Sequence, residues 1–109
     1  MNKTIACIAL STLLMWGAVS LAGEKPGTIE VVKIDNFSFT PQTVTIRAGT
    51  TVTWANKDDV PHTVVSTTKK FRSGVLDTED QFSYTFTDAG TYDYFCSIHP
   101  HMTGKVIVQ

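Results

Sequence analysis

The sequence predicts an all-β fold, a Greek-key β-sandwich of seven or eight strands. Three observations predict it. Apolar and polar residues alternate over short runs, as half-buried strands require. Turn-forming clusters separate those runs at short intervals. After residue 22 no segment sustains a helical period.

The strands follow in order. Thr28 to Ile34 is rich in β-branched residues, which suit a pleated surface. Thr43 to Ile46, Thr51 to Trp54 and Thr63 to Val65 alternate. Gln81 to Phe86 puts Phe82, Tyr84 and Phe86 on one face, and Thr91 to Cys96 does the same for Tyr92, Tyr94 and Cys96. Lys105 to Val108 closes the chain. Turns are expected at Thr40-Pro41-Gln42, Ala48-Gly49-Thr50, Asn56 to Asp59 and Asp88-Ala89-Gly90. Ser66 to Thr78 is the least regular stretch and is expected to form a long loop. The expected core is Phe37, Phe39, Val44, Ile46, Val52, Trp54, Val64, Phe82, Tyr84, Phe86, Tyr92, Tyr94 and Val106. Asp88, Gly90 and Tyr92 fit a tyrosine corner, a device of Greek-key sandwiches.

The 109 residues allow one domain. Residues 1–22 have the form of a cleaved signal peptide: Lys3, then an apolar run from Ile5, then Ser20-Leu21-Ala22 as a small-x-small site. An uncleaved N-terminal anchor is the alternative, although the run is short for a span of about 20 residues. Residues 23–109 are then the working domain, in the periplasm or otherwise exported. Loss of Lys3 moves the formal charge from −1 to about −2. That balance argues against nucleic acid, which asks for a basic patch, and there is no polybasic segment for a membrane surface.

Export also removes Cys7 and leaves Cys96 alone. A single thiol in an oxidising compartment cannot form an internal disulfide and needs another occupant. Around it stands Cys96-Ser97-Ile98-His99-Pro100-His101-Met102, a thiolate, an imidazole and a thioether within seven residues. His62 follows Pro61 at another turn-to-strand junction. Two imidazoles and a thiolate with a weak axial Met describe a type 1 copper site for electron transfer. Structural zinc usually takes Cys and His alone, often with several cysteines.

These residues resemble the cupredoxins, most closely the amicyanin, plastocyanin and pseudoazurin group. The resemblance spans nearly the whole working domain. It runs through Phe37-Ser38-Phe39-Thr40-Pro41, Gly49, Val52-Thr53-Trp54, Asn56, Pro61-His62 and Asp88 to Tyr94, into Cys96-Ser97-Ile98-His99. The C-x2-H-x2-M spacing is the short ligand loop of amicyanin. The resemblance implies one copper ion on His62, Cys96, His99 and Met102. It also implies a soluble, monomeric one-electron carrier, not an enzyme, with transient redox protein partners and no small-molecule substrate. His99 would be the electron exit. Three positions depart from the family pattern: Thr63 replaces a common Asn that ties the ligand loops together, Ile98 a common Pro, and His101 an aromatic. Thr63 is expected to tie the loops less completely, toward Ser97.

Other functions fit less well. An immunoglobulin-like binding domain would need a second Cys to cross the sheets. A multicopper enzyme needs more than the three His present, and a dinuclear copper centre needs two loop cysteines. A copper delivery or storage protein with the same ligands stays open as the alternative.

Overall fold

The computed structural model describes residues 28–109, so the signal-peptide and anchor expectations for residues 1–22 lie outside the described residues. No helix among the described residues is long and apolar enough to cross a membrane. The described residues form eight strands: β1 Ile29–Asp35, β2 Ser38–Thr40, β3 Thr43–Ile46, β4 Thr50–Asn56, β5 Val65–Ser66, β6 Gln81–Phe86, β7 Gly90–Phe95 and β8 Thr103–Val108. They form two four-stranded sheets, ordered β2-β1-β4-β6 and β3-β8-β7-β5. The chain passes repeatedly from one sheet to the other between β2 and β7. β1 pairs in parallel with β4, and β3 with β8, while the remaining ladders are antiparallel. This is the expected β-sandwich.

Strand alternation builds the core. Val32 and Ile34 of β1, Val52 and Trp54 of β4 and Val106 of β8 are completely buried. Trp54 lies at the centre, 5.6 Å from the Phe71 ring and edge-on to Tyr94 at 5.3 Å. Phe71 and Leu76 come from the irregular 66–78 stretch, which therefore closes over the sandwich as an anchored loop. The tyrosine corner is present: the Tyr92 hydroxyl donates to the Asp88 carbonyl at 2.7 Å.

Two expectations need correction. The strand expected over Thr63 to Val65 is shifted to Val65–Ser66. Thr63 spends its polar groups on Cys96 and Ser97, and the Val64 N–H donates to Ser73 Oγ, so neither joins a ladder. Phe37, expected in the core, is 46% exposed. It occupies a two-residue turn between the paired Asp35 and Ser38, with Asn36 at φ 51° and Phe37 at φ 57°. Such a hairpin turn requires positive φ at both central residues, a geometry suited to Asn-Gly. Phe37 adopts it at a steric cost and points outward, at the end of the sandwich.

The buried Tyr94 hydroxyl and Trp54 indole N–H meet no hydrogen-bond partner. Burial pushes Tyr94 up to about 12, with the nearby indole offsetting part of the rise. An unfolded tyrosine ionises near pH 10. The Tyr94 contribution is therefore complete below pH 10 and is lost between pH 10 and 12, at about 1.4 kcal/mol per pH unit. Tyr94→Phe should be near neutral at pH 7, because it removes a buried hydroxyl without a partner. Above pH 10 it should fall less steeply in stability than the wild type. Urea unfolding from pH 8 to 11 measures the difference, and parallel curves would show that the hydroxyl is solvated.

Candidate metal centre

The sheet register brings the candidate residues together. β5 and β7 are antiparallel, with Val65 opposite Phe95. The residues before β5 and those after β7 therefore meet at one end of the sandwich, and these include His62 and Cys96. The β7–β8 connection folds straight back: the Met102 N–H donates to the His99 carbonyl at 2.9 Å, and the Cys96 N–H to the Met102 carbonyl at 3.1 Å. His99 is thus carried over Cys96, and Met102 is buried beside it.

Cys96 Sγ lies 3.8 Å from His62 Nδ1 and 3.7 Å from His99 Nδ1. All three donor atoms fall within 4.8 Å of one another. That spacing suits a single ion bound by all three at about 2.0–2.3 Å. His62 is fully buried, Cys96 likewise, and His99 is half-buried. Burial pushes the Cys96 thiol up, but hydrogen bonds to the sulfur, the Thr63 N–H first among them, outweigh it and bring it down to about 6. The lowered thiol gives up its proton more readily to become the thiolate, the form that ligates metals.

Thr63 ties the two loops together through Ser97, the expected partner. Its hydroxyl accepts the Ser97 N–H at 2.7 Å and shares a hydrogen bond with Ser97 Oγ at 2.8 Å. Its own N–H donates to Cys96 Sγ at 3.4 Å. Thr63→Val keeps the shape and the N–H but loses the hydroxyl link. We expect a loss of about 1–3 kcal/mol, the usual net value of the two bonds the hydroxyl makes. Urea unfolding reads it, and wild-type stability would mean that Ser97 finds an equal partner in water.

Two site residues escaped the sequence reading. His62 Nε2 lies 2.9 Å from Asp58 Oδ2, on the side of the ring away from Cys96. Asp58 is buried, and the Phe37 N–H, then the His62 ring, hold its carboxyl at about 2, below the usual carboxylate range. The signal was its place four residues before His62 in a turn cluster. The second is Phe37. Its ring stands edge-on to His62 at 5.7 Å and to His99 at 5.0 Å. His101, by contrast, is exposed.

Comparison with known proteins agrees with this arrangement. Residues 5–108 match the cupredoxin-like domain family. Amicyanin of Paracoccus versutus is 35% identical, covering 100% of this chain and 96% of the relative. The crystal structure of amicyanin from Paracoccus versutus matches with a TM-score of 0.69 at 39% identity, covering 81% of this chain and 88% of that one. A purple cupredoxin from Nitrosopumilus maritimus matches with a TM-score of 0.70 at 35% identity, covering 73% and 99%. The match runs through both sheets and both loops that carry the candidate ligands, and the chain belongs to the cupredoxin-like family.

Proposed function

We propose that this protein is a soluble one-electron carrier with one type 1 copper ion held by His62, Cys96, His99 and Met102. The observation that carries the proposal is the Cys96 sulfur set between two imidazole Nδ1 atoms, 3.8 and 3.7 Å away. Thiolate and thioether favour Cu(I), and imidazole suits either oxidation state, so this donor set fits copper better than zinc. The likeness to amicyanins supports the same reading.

A bound copper ion supplies the Cu(II)/Cu(I) couple. The chain supplies the rest. Buried His62 and Cys96 would hold the ion with His99, away from water, and buried Met102 would add a weak thioether donor. Half-buried His99 is the electron exit. Around it lie exposed Phe37 and Ile98, with Pro41, Pro100 and His101, as a docking surface. Partners are transient redox proteins, whose encounters use small interfaces. No small molecule or nucleic acid is bound, and the carrier acts as a monomer. Residues 1–22 are a cleaved signal peptide that sends residues 23–109 to the periplasm.

The optical spectrum of the copper-loaded protein tests this. An intense thiolate-to-copper band with fast, reversible one-electron cycling is expected. A colourless site that holds only Cu(I) would assign the protein to copper delivery or storage.

A further inference from the structure

Phe37 stands in a conformation that a bulky residue seldom adopts. Its φ of 57° lies in the left-handed region, where Asn or Gly is usual. Strain of this kind amounts to about 1–3 kcal/mol and persists only when the surroundings enforce it. Here one enforcing contact is visible: the Phe37 N–H donates to Asp58 Oδ2 at 3.0 Å. The same oxygen lies 2.9 Å from His62 Nε2. One carboxylate oxygen therefore holds the backbone of the strained aromatic and the ring of a candidate ligand.

Asp58 is itself fixed by three further hydrogen bonds. Its N–H donates to Asn56 Oδ1 at 2.9 Å, and its carbonyl accepts from Thr78 Oγ1 at 2.7 Å. Its Oδ1 accepts the Asp59 N–H at 2.9 Å. Asn56 in turn donates to the Val60 and Leu76 carbonyls, closing the turn that leads to His62. Swinging the carboxylate away would break its bonds to Asp59, Phe37 and His62 together.

We propose that Asp58 is a positioning residue for the copper site, orienting His62 and Phe37 together through one carboxylate oxygen. This rests on the reading that His62 binds copper. With Nε2–H donating to Asp58, the neutral ring carries its lone pair on Nδ1, the nitrogen that faces Cys96. The carboxylate also makes the ring a stronger donor and places a negative charge behind it, which favours Cu(II) over Cu(I). Phe37, held by the same oxygen, keeps its ring edge-on to both imidazoles.

The test uses the copper-loaded protein. In the reduced wild type, NMR should show a His62 Nε2–H that exchanges slowly with water. Asp58→Asn keeps an oxygen acceptor but removes the charge. It should retain the visible band, weaken Cu(II) binding about 10- to 100-fold and raise the reduction potential. Each tenfold by which Cu(II) loses more than Cu(I) corresponds to about 59 mV. Asp58→Glu, which restores the charge, should recover part of the shift. Phe37→Gly keeps the N–H and should leave the His62 proton protected. An unchanged potential and affinity in Asp58→Asn, or rapid exchange of the His62 proton in the wild type, would overturn the proposal. The wild-type exchange measurement decides even if Asp58→Asn does not fold. A wild type that takes up no copper would instead remove the copper reading itself.

Discussion

Cys96→Ser should abolish the intense visible absorption of the copper-loaded protein while leaving the fold intact. The band arises from charge transfer between thiolate and Cu(II), and a serine hydroxyl offers no equivalent low-energy donor. Cys96 is fully buried, so the substitution must also be tolerable in the core. It should be, because the hydroxyl is slightly smaller than the thiol and has ready partners. The Thr63 N–H, 3.4 Å from the sulfur, and the nearby imidazoles can hydrogen-bond to it. Circular dichroism would then match the wild type. Copper should also stabilise the variant much less. A ligand present at 100 times its Kd adds about 2.7 kcal/mol to the folded state. Loss of the thiolate removes most of that gain at the same copper concentration. Thermal unfolding with and without copper reads the difference. Retention of the band in Cys96→Ser would show that sulfur is not the ligand, and the copper assignment would fall with it.

The residues that could be read from sequence are those whose signal is local. β3 and β6 have the expected bounds, Thr43–Ile46 and Gln81–Phe86, because alternation over four to six residues needs no distant partner to define it. The closeness of Cys96 and His99 was equally legible from their spacing, and their donor atoms lie 3.7 Å apart. What escaped depends on tertiary geometry. β2 is three residues long, too short for a period to emerge. Phe71 and Leu76 lie in a stretch without periodicity, yet both are buried, because the loop folds back so that Phe71 meets Trp54. Phe37 looked like a core residue because Phe37-Ser38-Phe39 alternates. The turn it occupies points it at the imidazoles instead. Asp58 read as an ordinary turn residue, and only the packed turn reveals that its carboxylate faces His62.

Gly104→Val should destabilise the sandwich strongly. Gly104 sits on β8 directly opposite Tyr94 of β7. Both point inward, and the tyrosine ring lies over the glycine. A Cβ at residue 104 would come within 2.3 Å of the Tyr94 Cζ and hydroxyl and 2.7 Å of its Cε1. The ring has no room to retreat: Phe39 lies edge-on at 4.8 Å and Trp54 at 5.3 Å, and Phe71 is 6.4 Å away. Backbone propensity works the other way, since valine suits a strand better than glycine. Any loss must therefore come from overpacking, which typically costs about 1–3 kcal/mol and is expected here at or above the top of that range. For a domain of this size each kcal/mol lowers Tm by about 4–8 °C. Gly74→Ala is the matching control. Nothing lies within 4 Å of its added Cβ, so its stability should stay within about 0.5 kcal/mol of the wild type. Equal melting curves for Gly104→Val and Gly74→Ala would mean that Tyr94 can leave the Trp54 cluster freely. The aromatic centre of the sandwich would then be far softer than its packing implies.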